Sequence, residues 1–207
     1  MKTLLLLKSS IYSNNGQSSR LADEVVTGWR AANPGGRVIT RDLARNPVPH
    51  ITEERFAAFL AKPGERTREQ QAVVDFSDTL IRELQSADTI VLGLPMYNFG
   101  VPSTLKAYFD HIARAGVTFK YTDAGAVGLL TGKKVYVTAA RGGLYAGTPL
   151  DTQTAYVRTF LAFLGMSEVE FIYAEGLAMG EASKEAALKR AKTYIELLNP
   201  EQWREAA

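Results

Sequence analysis

Short, almost uniformly apolar runs recur along the chain, each followed by a polar loop and then by apolar residues at helical spacing. Residues 4–7, four successive leucines, form the first run. Four residues are too few for a helix, and the lack of alternation suits a parallel strand covered on both faces. A loop rich in hydroxyls and amides, residues 9–19, follows, and Leu21, Val25 and Trp29 then recur every four residues. Asn33-Pro34-Gly35-Gly36 supplies helix-stop chemistry. Arg37–Asp42 reads as the second strand. Residues 43–69 carry Pro47, Pro49, Pro63 and Gly64 around a short helical pattern with Phe56, Phe59 and Leu60, and predict an excursion over the surface. From Arg68 a longer helix places Val73, Phe76, Leu80 and Leu84 on one stripe. Residues 89–94 make the third strand, closed by Pro95, which has no amide to continue a ladder.

Ser103 is placed to cap a helix after Pro102, with Leu105, Tyr108, Phe109 and Ile112 on its buried side. Across residues 116–132, Val117, Phe119 and Tyr121 alternate before a glycine-rich return, the pattern of a hairpin-like insertion. Residues 133–138 form the fourth strand. A helix over 152–164 has Tyr156, Phe160 and Leu164 on one side and Gly165 as its stop. Residues 169–173 form the fifth strand, and Ala187, Ala191, Ile195 and Leu198 stripe the last helix. Strands alternating with helices predict an α/β, doubly wound parallel sheet with helices on both faces. Right-handed crossovers then favour the five-stranded, flavodoxin-like order 2-1-3-4-5. In that order ligands bind beyond the carboxyl ends of the strands, between strands one and three, where the winding reverses.

Composition narrows the choices. A chain of 207 residues suits a single domain over 1–207. Apolar residues at 46% and charged residues at 22% are ordinary globular values. The formal charge of +2 comes with no long basic run, so nucleic acid is not an expected partner. Cysteine is absent, which excludes disulfides, thiolate metal sites and thiol catalysis, and leaves any redox chemistry to a bound cofactor. The apolar opening is too short for a signal peptide, and no stretch nears the roughly 20 residues of a membrane span. A cytoplasmic location without membrane association is the expectation.

Three polar loops lie at the carboxyl ends of strands that the topology makes neighbours. The first, residues 9–19, leads into a helix amino terminus, where free amides and the helix dipole favour an anion. Ser10, Gln17, Ser18 and Ser19 add donors, and the lack of a Gly-Lys-Ser/Thr ending favours a monophosphate over a triphosphate. An ordinary Ser/Asn-rich turn is the plain alternative. The second loop sets Met96, Tyr97, Asn98 and Phe99 between Pro95 and Pro102, a rigid wall suited to a flat heteroaromatic ring, or else a loop burying its aromatics in the core. In the third, Ala139-Ala140-Arg141-Gly142-Gly143, the glycines permit close backbone approach to a ligand. Its alternative is a tight turn with an exposed arginine.

With these loops the chain resembles the FMN-dependent NADH-azoreductase family, flavodoxin-fold enzymes related to NAD(P)H:quinone oxidoreductases. The likeness is carried by Leu7-Lys8-Ser9-Ser10, Pro95-Met96-Tyr97-Asn98-Phe99, Ala113-Arg114-Ala115-Gly116-Val117-Thr118-Phe119, Gly132-Lys133-Lys134, Arg141-Gly142-Gly143 and Ala174-Glu175-Gly176. The resemblance implies that Ser10, Gly16, Gln17 and Ser18 hold the FMN phosphate, and that Met96, Tyr97, Asn98, Phe99, Ala140, Arg141, Gly142 and Gly143 contact the isoalloxazine. Gly16 and Ala140 depart from the hydroxyl residues the family often has there, which backbone amides can accommodate. It also implies a homodimer, with Phe56, Phe59, Leu60, Tyr121, Tyr145 and Phe163 toward the substrate side.

The expected reaction is ping-pong: NADH or NADPH reduces the flavin and leaves, and an azo dye or quinone is reduced on the same face. The proton comes from solvent or through Tyr121 or Tyr145. No metal, catalytic triad or paired carboxylates are needed, since the cofactor carries the chemistry. His50 and His111 read as capping or surface residues, and Glu53, Glu54, Asp75 and Asp78 as solvated helix faces. Two other readings share the fold. A flavodoxin-type electron carrier, turning over nothing itself, is expected to be strongly acidic, unlike this chain. A phospho-accepting receiver needs acids where Ser9 and Pro95 stand.

Overall fold

The computed structural model describes residues 1–198; residues 199–207, at the end of the single domain expected from the sequence, lie outside the described residues. Strands β1 (Thr3–Lys8), β2 (Arg37–Asp42), β3 (Thr89–Pro95), β6 (Lys134–Ala140) and β7 (Glu168–Ala174) form one sheet in the order β2-β1-β3-β6-β7. Every pairing in it is parallel, with Leu7 opposite Leu92 and Pro95 opposite Ala140. This is the expected 2-1-3-4-5 order, since β4 (Phe119–Thr122) and β5 (Gly125–Gly128) form a separate antiparallel pair, the hairpin-like insertion expected between residues 116 and 132.

Side chains alternate across a strand, so one run of leucines feeds two cores. Leu5 and Leu7 pack with Ile90, Leu92, Val135 and Val137 under helices α3 (Arg68–Ser86), α4 (Ser103–Ile112) and α5 (Thr152–Phe163). Leu4 and Leu6 pack with Val91, Tyr136 and Ile172 under α1 (Gln17–Ala32) and α6 (Glu181–Leu197). The apolar opening is thus a buried interior strand, between β2 and β3. The edge strand β2 is partly exposed and carries charges, a usual guard against edge pairing; its Arg41 makes a two-pronged ion pair with Glu83, at 2.8 and 2.7 Å.

Several local expectations shift by a residue. Pro102 occupies the N-cap of α4 and Ser103 is its first helical residue, with no side-chain cap. On α3 the buried position is Val74 rather than Val73. On α5 the sheet-facing residues are Gln153, Val157 and Leu161; Tyr156 and Phe160 turn sideways toward Phe109, with Phe160 stacked on it at 4.1 Å. His111 is a core residue, not a cap or surface group. It hydrogen-bonds the Pro49 carbonyl at 3.0 Å and is met edge-on by Phe59 and Phe76. Asp78, expected on a solvated face, pairs with Arg114. The excursion contains α2 (Glu53–Leu60), which lies against α3 and is capped by Thr52.

Candidate active site

β1, β3 and β6 are adjacent, so the loops leaving their carboxyl ends meet. Ser9 donates from its amide and its hydroxyl to the Gly93 carbonyl, at 3.2 and 2.7 Å. The Tyr97 hydroxyl accepts from the Ile11 amide at 3.2 Å and lies 3.3 Å from Ser10 Oγ. Met96 N donates to Ala140 O at 3.0 Å, and the Phe99 and Tyr145 rings meet edge-on at 5.5 Å. Ser10, Tyr97, Phe99 and the Ala140–Tyr145 stretch therefore share one edge of the molecule.

The first loop is built to leave donors free. Lys8, almost fully buried, holds Asn14 Oδ1 at 2.8 Å and the Asp23 carboxylate at 2.8 Å. Ser13, at φ 52°, is tied to Asp42. These anchors fix the loop where it enters α1, whose first amides have no partner within the helix. No side chain caps α1 and no acidic residue sits in its first turn. The hydroxyls of Ser18 and Ser19 are completely buried and make no hydrogen bond among the described residues. Unpaired buried hydroxyls are costly, and here they stand at the positive end of a helix dipole. Gly16 closes the cradle: a Cβ there would lie 2.1 Å from Ser10 Oγ. Gln17 is half-buried beside them.

The second loop is a tight turn. Tyr97 and Gly100 exchange backbone hydrogen bonds, at 3.2 and 2.9 Å, around Asn98 (φ 49°) and Phe99 (φ 61°). Left-handed conformation costs a non-glycine residue about 1–2 kcal/mol, and it is least expected of a bulky one. Neighbours hold it. Gln153 Nε2 donates to Pro95 O at 2.9 Å and Gly100 O at 2.8 Å, and Thr152 Oγ1 donates to Phe99 O. Phe99 is left half-exposed at the carboxyl edge of the sheet. Neither Gln153 nor Thr152 carries a local signal; only the fold brings α5 under this turn.

In the third loop the alternative of an exposed arginine is overturned, and the Arg141 side chain is turned into the protein, leaving its backbone at the loop. Its side chain is fully buried, bonded to Glu175 at 3.1 Å, Asp151 at 2.8 Å and Thr154 Oγ1 at 3.0 Å, with the guanidinium 5.1 Å from the Tyr173 ring centre. Burial opposes the Asp151 charge, but the hydrogen bonds from Arg141 and Thr154 prevail and hold its carboxyl below the ordinary aspartate range. Gly142 is exposed and Gly143 half-buried, and neither amide finds a partner among the described residues. Ala140 ends β6.

The residues expected toward substrate divide into separate places. Phe56, Phe59, Leu60 and Tyr121 line one pocket of about 520 Å³ with Phe119 and Arg114. Phe163 lies behind it, its ring 4.4 Å from that of Phe119. Tyr145 instead sits at the three-loop edge: a Cβ on Gly143 would come 2.6 Å from its hydroxyl. Among the described residues no group of three or more His, Cys, Asp or Glu is placed to hold a metal, and no helix is long and apolar enough to cross a membrane.

A parallel sheet with an anion cradle and a strained aromatic turn at its switch point defines a flavodoxin-like α/β protein. The profile of the family described as "Flavodoxin-like fold" matches residues 1–198. The chain is 58% identical to the FMN-dependent NADH:quinone oxidoreductase of Cellvibrio japonicus (strain Ueda107), over 95% of its own length and 98% of that protein's. Identity to FMN-dependent NADH:quinone oxidoreductase 6 of Burkholderia lata is 53%, covering 94% and 98%. A solved FMN-dependent NADH-azoreductase from Bacillus anthracis, in complex with FMN, superposes with a TM-score of 0.85 at 27% identity, covering 96% of this chain and 99% of that one. The chain belongs to the flavodoxin-like family, among the relatives named FMN-dependent NADH:quinone oxidoreductases.

Proposed function

We propose that this protein is an FMN-dependent NADH:quinone oxidoreductase that also reduces azo compounds, with FMN held across the three loops. The observation that carries the reading is the pair of buried, unpartnered hydroxyls of Ser18 and Ser19 at the uncapped amino end of α1, beside Ser10 and Gly16. A dianionic phosphate supplies the acceptors this cradle lacks. Ser10, Gly16, Gln17 and Ser18 would hold that phosphate, and Met96, Tyr97, Asn98, Phe99 and the Ala140–Gly143 backbone would bound the ring. FMN, when bound, supplies the two-electron chemistry that links NADH to a quinone or azo acceptor.

The chain's own residues do the rest. The turn at Asn98 and Phe99, held by Gln153 and Thr152, fixes one wall without further ordering on binding. Of Tyr121 and Tyr145, Tyr145, whose ring meets that of Phe99, is the better placed to pass a proton. Tyr121 lies in the second pocket. The aromatic face around that pocket, with Phe56, Leu60 and Tyr121 mostly exposed, suits burial against a second copy of the chain, so a homodimer with donor and acceptor using the site in turn completes the proposal. We place the protein in the cytoplasm, with no nucleic-acid or membrane partner.

Anaerobic spectra test the reading. The purified protein with FMN should show flavin bands that bleach with NADH and recover with a quinone, and initial rates should give parallel lines. NADPH in place of NADH measures donor preference, and sedimentation measures the dimer. A protein that ignores added FMN ends the proposal; one that binds FMN but oxidises no NADH with quinone is an electron carrier.

A further inference from the structure

The turn after β6 is held in an unusual way. The carbonyls of Arg141, Gly142 and Gly143 accept hydrogen bonds from Leu177, Ala178 and Gly176, at 3.1, 3.0 and 2.9 Å. In a trans peptide the N–H points opposite to the carbonyl. The amides of Gly142, Gly143 and Leu144 therefore face away from residues 176–178, and none of them donates to a partner among the described residues. One oxygen fixes both ends of this segment: Glu175 Oε1 accepts from Arg141 Nη1 at 3.1 Å, Tyr145 N at 3.0 Å and Ala146 N at 2.9 Å. Arg141 is itself buried against Asp151, Thr154 and Tyr173, with its amide on Ala174 O at 2.9 Å.

We propose that Glu175 is a positioning residue for the flavin ring: through Arg141 and the amides of Tyr145 and Ala146, it presents the Gly142, Gly143 and Leu144 amides as a donor row to the pyrimidine edge of the isoalloxazine. The proposal rests on the reading above that this turn meets the ring. A donor row set before binding costs no reorganisation, and it favours the reduced cofactor, which carries more negative charge on that edge. The same pin aims the Tyr145 ring across Gly143 toward Phe99. Charge-assisted hydrogen bonds are roughly twice as strong as neutral ones, so glutamine, which keeps an oxygen and loses the charge, should replace glutamate only in part.

The test compares Glu175→Ala and Glu175→Gln with the parent protein. Dissociation constants are measured for FMN and for riboflavin, which lacks the phosphate, and the two-electron midpoint potential is measured with FMN bound. In Glu175→Ala both flavins should bind about tenfold more weakly, leaving the FMN-to-riboflavin ratio unchanged. A further tenfold loss confined to the reduced state lowers the potential by about 30 mV. Glu175→Gln should fall between, and it decides alone if the alanine variant does not fold. Weakening of FMN with riboflavin spared puts the damage at the phosphate loop and overturns the proposal. So do variants whose affinities and potential match the parent's. Failure of the parent protein to bind FMN instead refutes the underlying function.

Discussion

Replacing Gly16 with alanine tests whether the anion cradle is shaped by contact with Ser10. The backbone does not require glycine: Gly16 caps α1 at φ −68°, ψ 140°, an extended conformation open to any residue. The constraint is steric. An added Cβ would meet Ser10 Oγ at 2.1 Å and Ser10 Cβ at 2.6 Å. Rotating the hydroxyl removes the first clash but not the second, and it breaks the hydrogen bond from Tyr12 N, at 3.2 Å, and the contact with Tyr97, at 3.3 Å. Two hydrogen bonds at about 1 kcal/mol each, with about 1–3 kcal/mol for overpacking, give a loss of about 3–5 kcal/mol. Urea denaturation should show it as a lower midpoint at unchanged slope, and FMN affinity should fall with it. Gly64→Ala, where a Cβ meets nothing within 4 Å, is the control and should stay within about 0.5 kcal/mol of the parent. Ser10→Gly removes both clashing atoms, so the double variant should be more stable than Gly16→Ala alone, with a coupling of about 1–2 kcal/mol. Strictly additive effects would refute the steric argument.

Gln153→Leu leaves the Pro95 and Gly100 carbonyls without their donor at 2.9 and 2.8 Å; thermal unfolding should report a loss of about 1–3 kcal/mol, and flavin affinity should drop as Asn98 and Phe99 leave the left-handed region. Burial holds the His111 imidazole below its ordinary pKa, against the hydrogen bond to Pro49, with Arg55 and Arg114 adding to the depression and Asp110 opposing it. The unfolded chain therefore takes up the proton first as pH falls, so stability is full above about pH 6.5 and declines below it. His111→Gln should flatten that part of a melting-temperature profile between pH 7.5 and 5; an equally steep variant would assign the slope elsewhere.

Periodicity along the chain sufficed for the strands, their order and the edge where the loops meet, because each depends on residues near in sequence or on rules of chain connection. Leu4 to Leu7 had to be a doubly covered strand, and a proline at 95 had to end one. Rotations of helices were less legible. Tyr156 and Phe160 are as apolar as Val157 and Leu161, and only the position of Phe109 decides which pair faces the sheet. Tyr145 and Tyr121 look equivalent as sequence, yet one rests against Phe99 and the other lines a separate pocket.

The sequence alone determined the topology, since hydrophobic spacing sets the strands and their connections, and with it the switch point where the three loops meet. What the side chains do there was decided in three dimensions. Arg141 has the composition of an anion ligand and became a buried brace because Asp151 and Glu175 fold against it. Glu175 stood out in the sequence only within the Ala174-Glu175-Gly176 segment of the resemblance, at the carboxyl end of the strand beside β6, with no sign of its partners. A buried charge follows the partners that satisfy it, and those partners come from segments that meet only once the sheet has formed.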